Sequence, residues 1–342
     1  MKKIIECVPN FSEGRDLNKI KEITDAIKSV AGIKLLNVDS GVTTNRTVVT
    51  FVGEPEFIVE AAFRGIKKAS EVINMKFHKG EHPRFGATDV CPLVPVANVS
   101  MEEAVSFARQ LSERVGTELG IPVFCYEFAA FEKERESLAN CRSGEYEGLK
   151  DKISSKKWKP DFGPSKWSDK VAVTGACAIG ARNFLVAYNV NLNTTSIHHA
   201  NSIACDIRES GRVVRDKEGE LIRVQGSLKK TRAIGWYIDE YGIAQVSINL
   251  TDISVTPVHI AFDEVCKCAH ERGLKVTGSE LVGMIPLKAM LDAGKYFLKK
   301  QQLSVKIPDD KIIKFAIKSL GLNELTSFKP KKKIIEYAIA NH

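Results

Sequence analysis

The order of strand and helix patterns limits the fold of this chain more than any other feature. In the first half, short β-branched or apolar runs predict strands, and longer runs with apolar residues every three or four positions predict helices. The predicted strands lie at 4–8, 34–38, 45–52, 90–96 and 122–126, and the predicted helices at 16–30, 55–73 and 100–119. This order is β-α-β-β-α-β followed by one more helix and strand.

The second half repeats this order, although the two halves share little sequence identity. Strands are predicted at 184–191, 234–239, 244–249 and 274–279, helices at 196–209 and 257–272, and two closing helices at 286–300 and 309–320. We therefore expect an α/β (α+β) fold of two ferredoxin-like subdomains, with the sheets facing across a cleft and the helices outside. The expected boundaries are 1–178 for the N-terminal subdomain, 179–328 for the C-terminal subdomain and 329–342 for a basic tail.

Composition indicates a cytoplasmic protein of ordinary globular type. The chain has 342 residues, 44% of them hydrophobic and 27% charged, which is enough for two domains. The first apolar run is too short for a signal peptide, and no run of about 18 apolar residues predicts a membrane span. Eight cysteines without a C-x-x-C pair favour free thiols over a zinc ribbon or a disulfide framework.

The net charge of +8 at pH 7 favours an anionic partner. Aromatic residues do not alternate with the basic ones, and no helix has the pattern of a recognition helix, so we expect no nucleic-acid partner. A small anionic substrate fits the charge at least as well. The basic run at 329–333 alone is best explained as a solvated surface.

Residues 78–89 gather two imidazoles, two acids and two cations in one loop. Gly80 and Pro83 prevent a regular helix there. One hypothesis is a zinc site, since His78-x-x-Glu81-His82 matches the H-x-x-E-H pattern, but that chemistry needs both histidines on one helix face. The other hypothesis is a general base at His82, which is held by the proline that follows it.

A long connection at 143–170 interrupts the regular pattern. It is rich in Gly, Pro and Lys and carries Trp158, Phe162 and Trp167. A long loop with aromatic residues is usually functional or held in place by those rings.

Several segments along the whole chain carry a family resemblance. They are Glu6-Cys-Val-Pro-Asn-Phe-Ser-Glu-Gly14, Asn45-Arg-Thr-Val48, Phe51-Val-Gly53, His78-Lys-Gly-Glu-His-Pro-Arg84, Asp89-Val-Cys-Pro92, Gly144-Glu-Tyr-Glu147, Pro160-Asp-Phe-Gly-Pro-Ser165, Gly235-Trp-Tyr237 and Leu281-Val-Gly283. With these segments, in this order, the chain resembles the formiminotransferase domain, the glutamate formimidoyltransferase family of histidine breakdown. The resemblance covers nearly the whole chain, from about residue 4 to about residue 337.

The resemblance implies two α/β subdomains and a reaction in histidine degradation and one-carbon metabolism. The formimidoyl group would pass from N-formimidoyl-L-glutamate to N5 of tetrahydrofolate, a co-substrate, and no metal would be needed. It also implies a homodimer, and a separate protein for the cyclodeaminase to which some members are fused.

The resemblance places His82 on the family's catalytic histidine. The segment ending at Ser165 leads into the family's folate-binding loop, which departs from the familiar form at 166–170. The predicted folate-binding residues are Gly163, Pro164, Ser165, Lys166, Trp167, Ser168, Asp169 and Lys170, and Asn10 joins the substrate-binding set.

Chemistry suggests roles for the other candidates. His82 can act as base and then as acid, because N5 must lose a proton and the departing glutamate nitrogen must gain one. Asp39, at the end of a strand, either orients the imidazole, pairs with the amidinium or caps a turn. Arg46 either grips a substrate carboxylate or forms a surface ion pair. Lys79 and Arg84 would favour a neutral His82 and attract anionic substrate.

Three alternatives remain open from the sequence. The same fold could transfer a formyl group from N-formylglutamate, the protein could bind folate without turnover, or it could be a zinc hydrolase. Lys156, Lys157 and Lys170 around the folate loop predict a preference for polyglutamylated folate.

Overall fold

The computed structural model describes residues 3–340, which divide into two units between Asn183 and Phe184. The first unit contains, in chain order, β1 (Ile4–Cys7), β2 (Asn10–Phe11), α1 (Leu17–Lys28), β3 (Lys34–Gly41), β4 (Arg46–Gly53), α2 (Pro55–Val72), β5 (Thr88–Ala97), α3 (Met101–Glu118), β6 (Val123–Glu127), α4 (Leu138–Arg142), α5 (Leu149–Ser154), α6 (Asp169–Thr174) and β7 (Cys177–Ala181). Short 3₁₀ turns lie at Met75–Phe77 and Lys133–Glu136.

Local sequence explains where the principal helices of the first unit begin. The Asp16 carboxylate accepts hydrogen bonds from the amides of Asn18 and Lys19 at the start of α1. Ser100 and Glu103 form the capping box of α3, and Pro55 opens α2. Each helix has one apolar face, which packs on the sheet in the main core of this unit.

The sheet of the first unit has a ferredoxin-like part and an extension. β1 and β2 both lie between β4 and β5, and β3 pairs with the outer side of β4, always antiparallel. β7 and β6 then extend the sheet beyond β5 in the order β5-β7-β6, and β7 is parallel to both neighbours. The predicted β-α-β-β-α-β order with an added helix and strand is confirmed.

A β-bulge interrupts β5 next to the loop that carries His82. Phe11 pairs with Thr88 and Asn10 pairs with Val90, so Asp89 has no partner position on β2. A bulge inserts an extra residue and redirects the side chains around it. The Asp89 side chain is completely buried as a result of this local geometry and its partners.

A second, smaller core lies under α4–α6. Phe85, Phe124 and Tyr126 form its centre, and Leu149 and Ile153 of α5 pack onto it. The connection at 143–170, which was predicted to be functional or held in place by its aromatic rings, contains α5 and the start of α6, and Trp158 and Trp167 pack against this core.

The second unit repeats the ferredoxin-like arrangement. Its elements are β8 (Val186–Leu192), α7 (Ile197–Ile207), β9 (Arg212–Arg215), β10 (Leu221–Val224), β11 (Thr231–Ile238), β12 (Ile243–Leu250), α8 (Val258–His270), β13 (Val276–Val282), α9 (Leu287–Lys300), α10 (Asp309–Ser319), α11 (Pro330–Lys333) and α12 (Ile335–Ala340). The four long strands have the order β11-β12-β8-β13 and are all antiparallel. The predicted order is confirmed here too, and the β9–β10 hairpin is an insertion that the sequence patterns did not indicate.

Two expected boundaries differ from the structure. A boundary after residue 178 would cut through β7, whose pairing with β5 and β6 ties it to the first sheet. The expected basic tail forms α11 and α12 instead. Ile334, Ile335 and Ala338 are buried, and Ile334 belongs to the core of the second unit.

None of the helices in the described part of the chain has the length and apolar character of a membrane span.

Candidate active site

The loop from His78 to Ala87 follows the 3₁₀ turn Met75–Phe77 and contains no helix. Two glycines let it lie against neighbouring backbone. A Cβ atom on Gly80 would lie 2.3 Å from the carbonyl oxygen of Thr44, and one on Gly86 would lie 1.9 Å from that of Ala176. The helix face that a zinc H-x-x-E-H site requires is therefore missing.

Asn45 fixes the first part of this loop. Its backbone has a positive φ of 46°, a conformation that asparagine tolerates better than most residues. Its Oδ1 accepts a hydrogen bond from the amide of Gly14 (2.9 Å), and its Nδ2 donates to the carbonyl of Lys79 (2.9 Å). Asn45 thus connects the β3–β4 turn to the His82 loop.

His78 is a structural residue of this loop. Its Nε2 donates to the carbonyl oxygen of Asn45 (2.9 Å), and its Nδ1 accepts from Nε of Arg84 (3.2 Å). Since a guanidinium only donates, Nδ1 carries no proton and the imidazole is neutral. Burial lowers its pKa, and the charge of Arg84 adds to that effect.

Arg84 is held by carboxylates, although it was expected to act on His82. Its Nη1 and Nη2 each lie 2.8 Å from one oxygen of Glu147, and Nη1 lies 3.3 Å from Glu145. This fork geometry fixes the guanidinium. The imidazole whose pKa Arg84 lowers is therefore that of His78. Lys79 is exposed.

His82 has the tautomer that a general base needs. Its Nδ1 donates to the carbonyl oxygen of Pro83 (2.8 Å), because a carbonyl oxygen only accepts. The lone pair therefore lies on Nε2. Burial lowers the pKa of His82 well below its usual value, and the charges of Arg46 and Arg142 lower it further while Asp89 opposes them. The expectation that cations favour the neutral imidazole was right in kind, but the cations are Arg46 and Arg142.

Asp89 links the two arginines beside His82. Its Oδ2 lies 2.7 Å from Nη1 of Arg46 and 2.7 Å from Nη2 of Arg142, while its Oδ1 accepts from Nε of Arg142 (3.2 Å) and from the Phe85 amide (3.1 Å). Burial raises the pKa of Asp89, but the two guanidinium charges outweigh it and the net pKa is lowered. Arg46 therefore forms a buried ion pair, and the surface ion pair that was considered for it is wrong.

Asn10 and Asp39 lie on one row of the sheet. Val48 pairs with Asp39 on one side and with Asn10 on the other. Asn10 also accepts a hydrogen bond from Nε of Arg46 (3.2 Å) through its Oδ1. Asp39 lies within β3, which continues to Gly41, so it does not end the strand as expected.

The predicted folate loop at 163–170 is linked to the His82 loop through Tyr146. The ring of Trp167 lies 6.0 Å from that of Tyr146, and the amide of Tyr146 donates to the carbonyl of Arg84 (3.0 Å). Asp169 lies 3.4 Å from Nζ of Lys76. Tyr146 therefore connects the predicted folate loop to the His82 loop, and Asp169 contacts the 3₁₀ turn that precedes that loop.

The loop itself is shaped by its own sequence. Ser168 caps α6 by accepting from the amide of Val171 (3.3 Å). Gly163 has a φ of 81°, and a Cβ there would lie 2.2 Å from the carbonyl oxygen of Ile121. The glycine is required both by the backbone conformation and by the close approach of the Ile121 backbone, which precedes β6.

An open pocket of about 590 Å³ borders the His82 loop. It is lined by Lys79, Gly80, Glu81, Arg84, Gly144, Glu145 and Glu147. The thiols of Cys125 and Cys141, which do not line this pocket, are protonated at neutral pH because burial raises the pKa of each to about 12. They are therefore poor nucleophiles.

Two of the site residues, Asp89 and Arg142, were not predicted as functional. Asp89 lies in a segment that supported the family resemblance, so a signal existed in the sequence. Arg142 follows it by 53 positions and lies just outside the segment 144–147 that supported the resemblance. Only the folded connection brings it to Asp89.

Comparison with known proteins gives a consistent match over both units. The family model "Formiminotransferase domain, N-terminal subdomain" matches residues 4–182, and the model "Formiminotransferase domain" matches residues 187–340. The glutamate formimidoyltransferase of Thermoplasma acidophilum is 44% identical over 86% of this chain and 92% of its own length. That of Streptococcus pyogenes serotype M1 is 42% identical over 87% of this chain and 94% of its own length.

Longer relatives also match. The formimidoyltransferase-cyclodeaminase of Dictyostelium discoideum is 48% identical over 99% of this chain, and the match covers 61% of that protein. The chain thus spans about three fifths of the length of these relatives.

Proposed function

The chain belongs to the formiminotransferase domain family, and from this we propose that it transfers the formimidoyl group of N-formimidoyl-L-glutamate to N5 of tetrahydrofolate. The products are 5-formimidoyltetrahydrofolate and glutamate. The observation that carries the proposal is the identity to two glutamate formimidoyltransferases over nearly their whole length. The neutral His82 beside a cationic cluster supports it chemically.

We propose that His82 transfers the protons of this reaction. N5 attacks the amidine carbon, a C–N bond forms, and Nε2 of His82 takes the proton that N5 loses. The tetrahedral intermediate then breaks its bond to the glutamate nitrogen, and His82 returns the proton to that nitrogen. The group is unchanged over the cycle, so neither an oxidant nor a covalent enzyme intermediate is required.

We propose that residues 163–170 bind tetrahydrofolate. Support comes from the contact of Trp167 with Tyr146, whose amide donates to Arg84 of the His82 loop, and from the ion pair of Asp169 with Lys76 just before that loop. Lys166 and Lys170 are exposed, and Lys156 lies nearby in sequence, so a polyglutamyl tail would gain favourable charge interactions. Equal KM values for mono- and polyglutamyl folate at low salt would count against this preference.

We also propose a cytoplasmic homodimer, since many enzymes of this size associate by two-fold symmetry. Light scattering at micromolar concentration should give twice the mass of 37.8 kDa. A monomer mass there would contradict it.

A donor assay tests the function itself. Purified protein, tetrahydrofolate and either N-formimidoyl-L-glutamate or N-formyl-L-glutamate are mixed, and glutamate release is followed. We expect much faster release from the formimidoyl donor. Faster release from the formyl donor would replace the proposed donor, and folate binding without release from either would indicate a binding protein.

A further inference from the structure

The buried guanidinium of Arg46 and the largely buried guanidinium of Arg142 share a single carboxylate beside His82. Arg46 and Arg142 are 7% and 14% exposed, and Asp89 is fully buried. Within residues 3–340, neither arginine has a second carboxylate partner. The cluster therefore carries a net charge of about +1.

An excess positive charge in a largely buried cluster raises the free energy of the folded protein unless an anion neutralises it. Desolvation of an ion costs several kcal/mol, and only a close counter-ion compensates for it. Nε and Nη2 of Arg142 already bind Asp89, and Nη1 and Nε of Arg46 bind Asp89 and Asn10. A second carboxylate would therefore accept one hydrogen bond from Nη2 of Arg46 and one from Nη1 of Arg142. The cluster is consequently suited to an incoming carboxylate.

We propose that Arg46 and Arg142 together bind the α-carboxylate of the formimidoyl donor. This inference rests on the proposed function. It adds Arg142 to the site and names which of the two donor carboxylates the cluster binds.

The chemistry of the two substrates selects the donor. In N-formimidoyl-glutamate, only the α-carbon separates the departing nitrogen from the α-carboxylate. A group that exchanges a proton with that nitrogen must therefore lie close to whatever binds this carboxylate. The carboxylates of folate lie at the opposite end of the molecule from N5, so they are far from His82 when N5 reacts.

Arg142 is the better arginine to change. Its removal leaves one cation, Arg46, on one anion, Asp89, which is a balanced pair. The variant should therefore fold. Arg64 is the matched control, because it is an exposed arginine of α2 whose ion pair with Glu60 lies on the surface.

The experiment compares wild type, Arg142→Ala, Arg142→Lys and Arg64→Ala with three donors. These are the N-formimidoyl derivatives of L-glutamate, L-glutamine (which keeps the α-carboxylate) and L-isoglutamine (which lacks it). We expect wild type to prefer the first two over the third by about 10²-fold in kcat/KM. In Arg142→Ala this preference should shrink about tenfold or more, with Arg142→Lys between them and the KM for folate unchanged.

A binding measurement separates this inference from the proposed function. Titration calorimetry with L-glutamate should show affinity at least about tenfold weaker in Arg142→Ala than in wild type, and no change in Arg64→Ala. If no variant transfers a formimidoyl group, the proposed function fails while this titration still tests the carboxylate site. Unchanged discrimination against the isoglutamine donor in Arg142→Ala, or a rise in the folate KM alone, would overturn the inference.

Discussion

At the scale of single residues, burial is the main cause of the lowered pKa of His82, and charges from three elements add to or oppose it. Arg46 begins β4, Asp89 lies at the bulge of β5 and Arg142 ends α4. Two cations and one anion around a largely desolvated imidazole keep it neutral, which is the form that accepts a proton.

Replacement of His82 by Ala should lower kcat by about 10²–10⁴-fold, the usual contribution of a general base. The KM for folate should change much less, because the proton transfer matters in the transition state. Steady-state kinetics measures both values. His198→Ala, at an exposed histidine, is the control and should behave like wild type, and near-normal turnover of the His82 variant would exclude it as the base.

The pH profile gives a second check on His82. Since its pKa is lowered below 6.5, the base is protonated only as the pH falls through that lower value. We expect kcat/KM to stay level from about pH 7 down to about pH 6.5 and to decline at more acidic pH. An acid limb centred above pH 6.5 would contradict the assignment.

Asp89→Asn should destabilise the first unit by about 3–5 kcal/mol, because it leaves two buried cations without their anion. The lowered pKa has a matching pH dependence: a carboxylate with a depressed folded pKa stabilises above its unfolded pKa. That contribution is lost as the pH falls below about 4 through the folded value. Urea unfolding followed by tryptophan fluorescence measures the change.

Asp25→Asn is the matched control for this variant. Asp25 also pairs with two cations, Lys21 and Lys28, but on the exposed side of α1. Solvent screens such pairs, so we expect no measurable change. Equal effects of the two variants would show that burial of the Asp89 cluster is unimportant.

At the scale of elements, close backbone contacts hold the His82 loop between β4 and β7. Gly86 forms an isolated bridge with Gly175, just before β7 begins, and the Ser12 hydroxyl donates to the Gly86 carbonyl (2.7 Å). These contacts leave no space for a side chain.

Gly86→Ala should therefore cost about 3 kcal/mol, near the upper end of overpacking penalties, and reduce activity with it. Gly219→Ala is an informative contrast, because Gly219 has a φ of 88° but nothing within 4 Å of the added carbon. It should cost only about 1–2 kcal/mol for its backbone conformation. Denaturant unfolding compares the two, and a smaller cost at Gly86 would mean that the loop can shift.

The sequence predicted helices and strands well where apolar residues recur at one regular spacing. The helices predicted at 55–73 and 100–119 were confirmed, as was the strand-helix order of both units. The β9–β10 hairpin was missed because its strands are largely exposed and carry no buried alternation. Patterns of burial cannot reveal an element that buries little.

The candidate site was predictable only in its local part. His82, Arg46 and Asn10 lie in short motifs, and the structure brings Arg46 and Asn10 into contact. The pairing of Arg142 with Asp89 depends on a β-bulge and on a folded connection. Neither feature is indicated by a periodic pattern of apolar residues in the sequence. The roles proposed for Asp39 and for residues 163–170 remain predictions.

At the scale of the whole molecule, each unit has its own core, and the end of the chain contributes to the second one. Ile334 is fully buried and forms a bridge with Ile285, while the amide of Ile335 donates to the Ile285 carbonyl (3.1 Å). The last helices are therefore part of the domain.

Ile334→Ala should destabilise the second unit by about 2–5 kcal/mol through the loss of buried methyl groups. Trp236 is the tryptophan of the second unit and can be followed by fluorescence during unfolding. Lys331→Ala, three residues earlier on an exposed position, is the control and should be neutral. An equally neutral Ile334 variant would restore the description of this segment as a solvated tail.

The strand order β5-β7-β6 has a consequence for the order in which the first unit folds. β7 inserts between strands that precede it in sequence, so β6 lacks its parallel neighbour until the chain between Glu127 and Cys177 has returned. Such non-local pairing is slow, because the entropy of loop closure is lost before the stabilising contacts form. That returning segment carries Arg142 and residues 163–170. We expect the sheet to close late during refolding, and the cluster of Arg46, Asp89 and Arg142 to form in the same kinetic phase rather than before it.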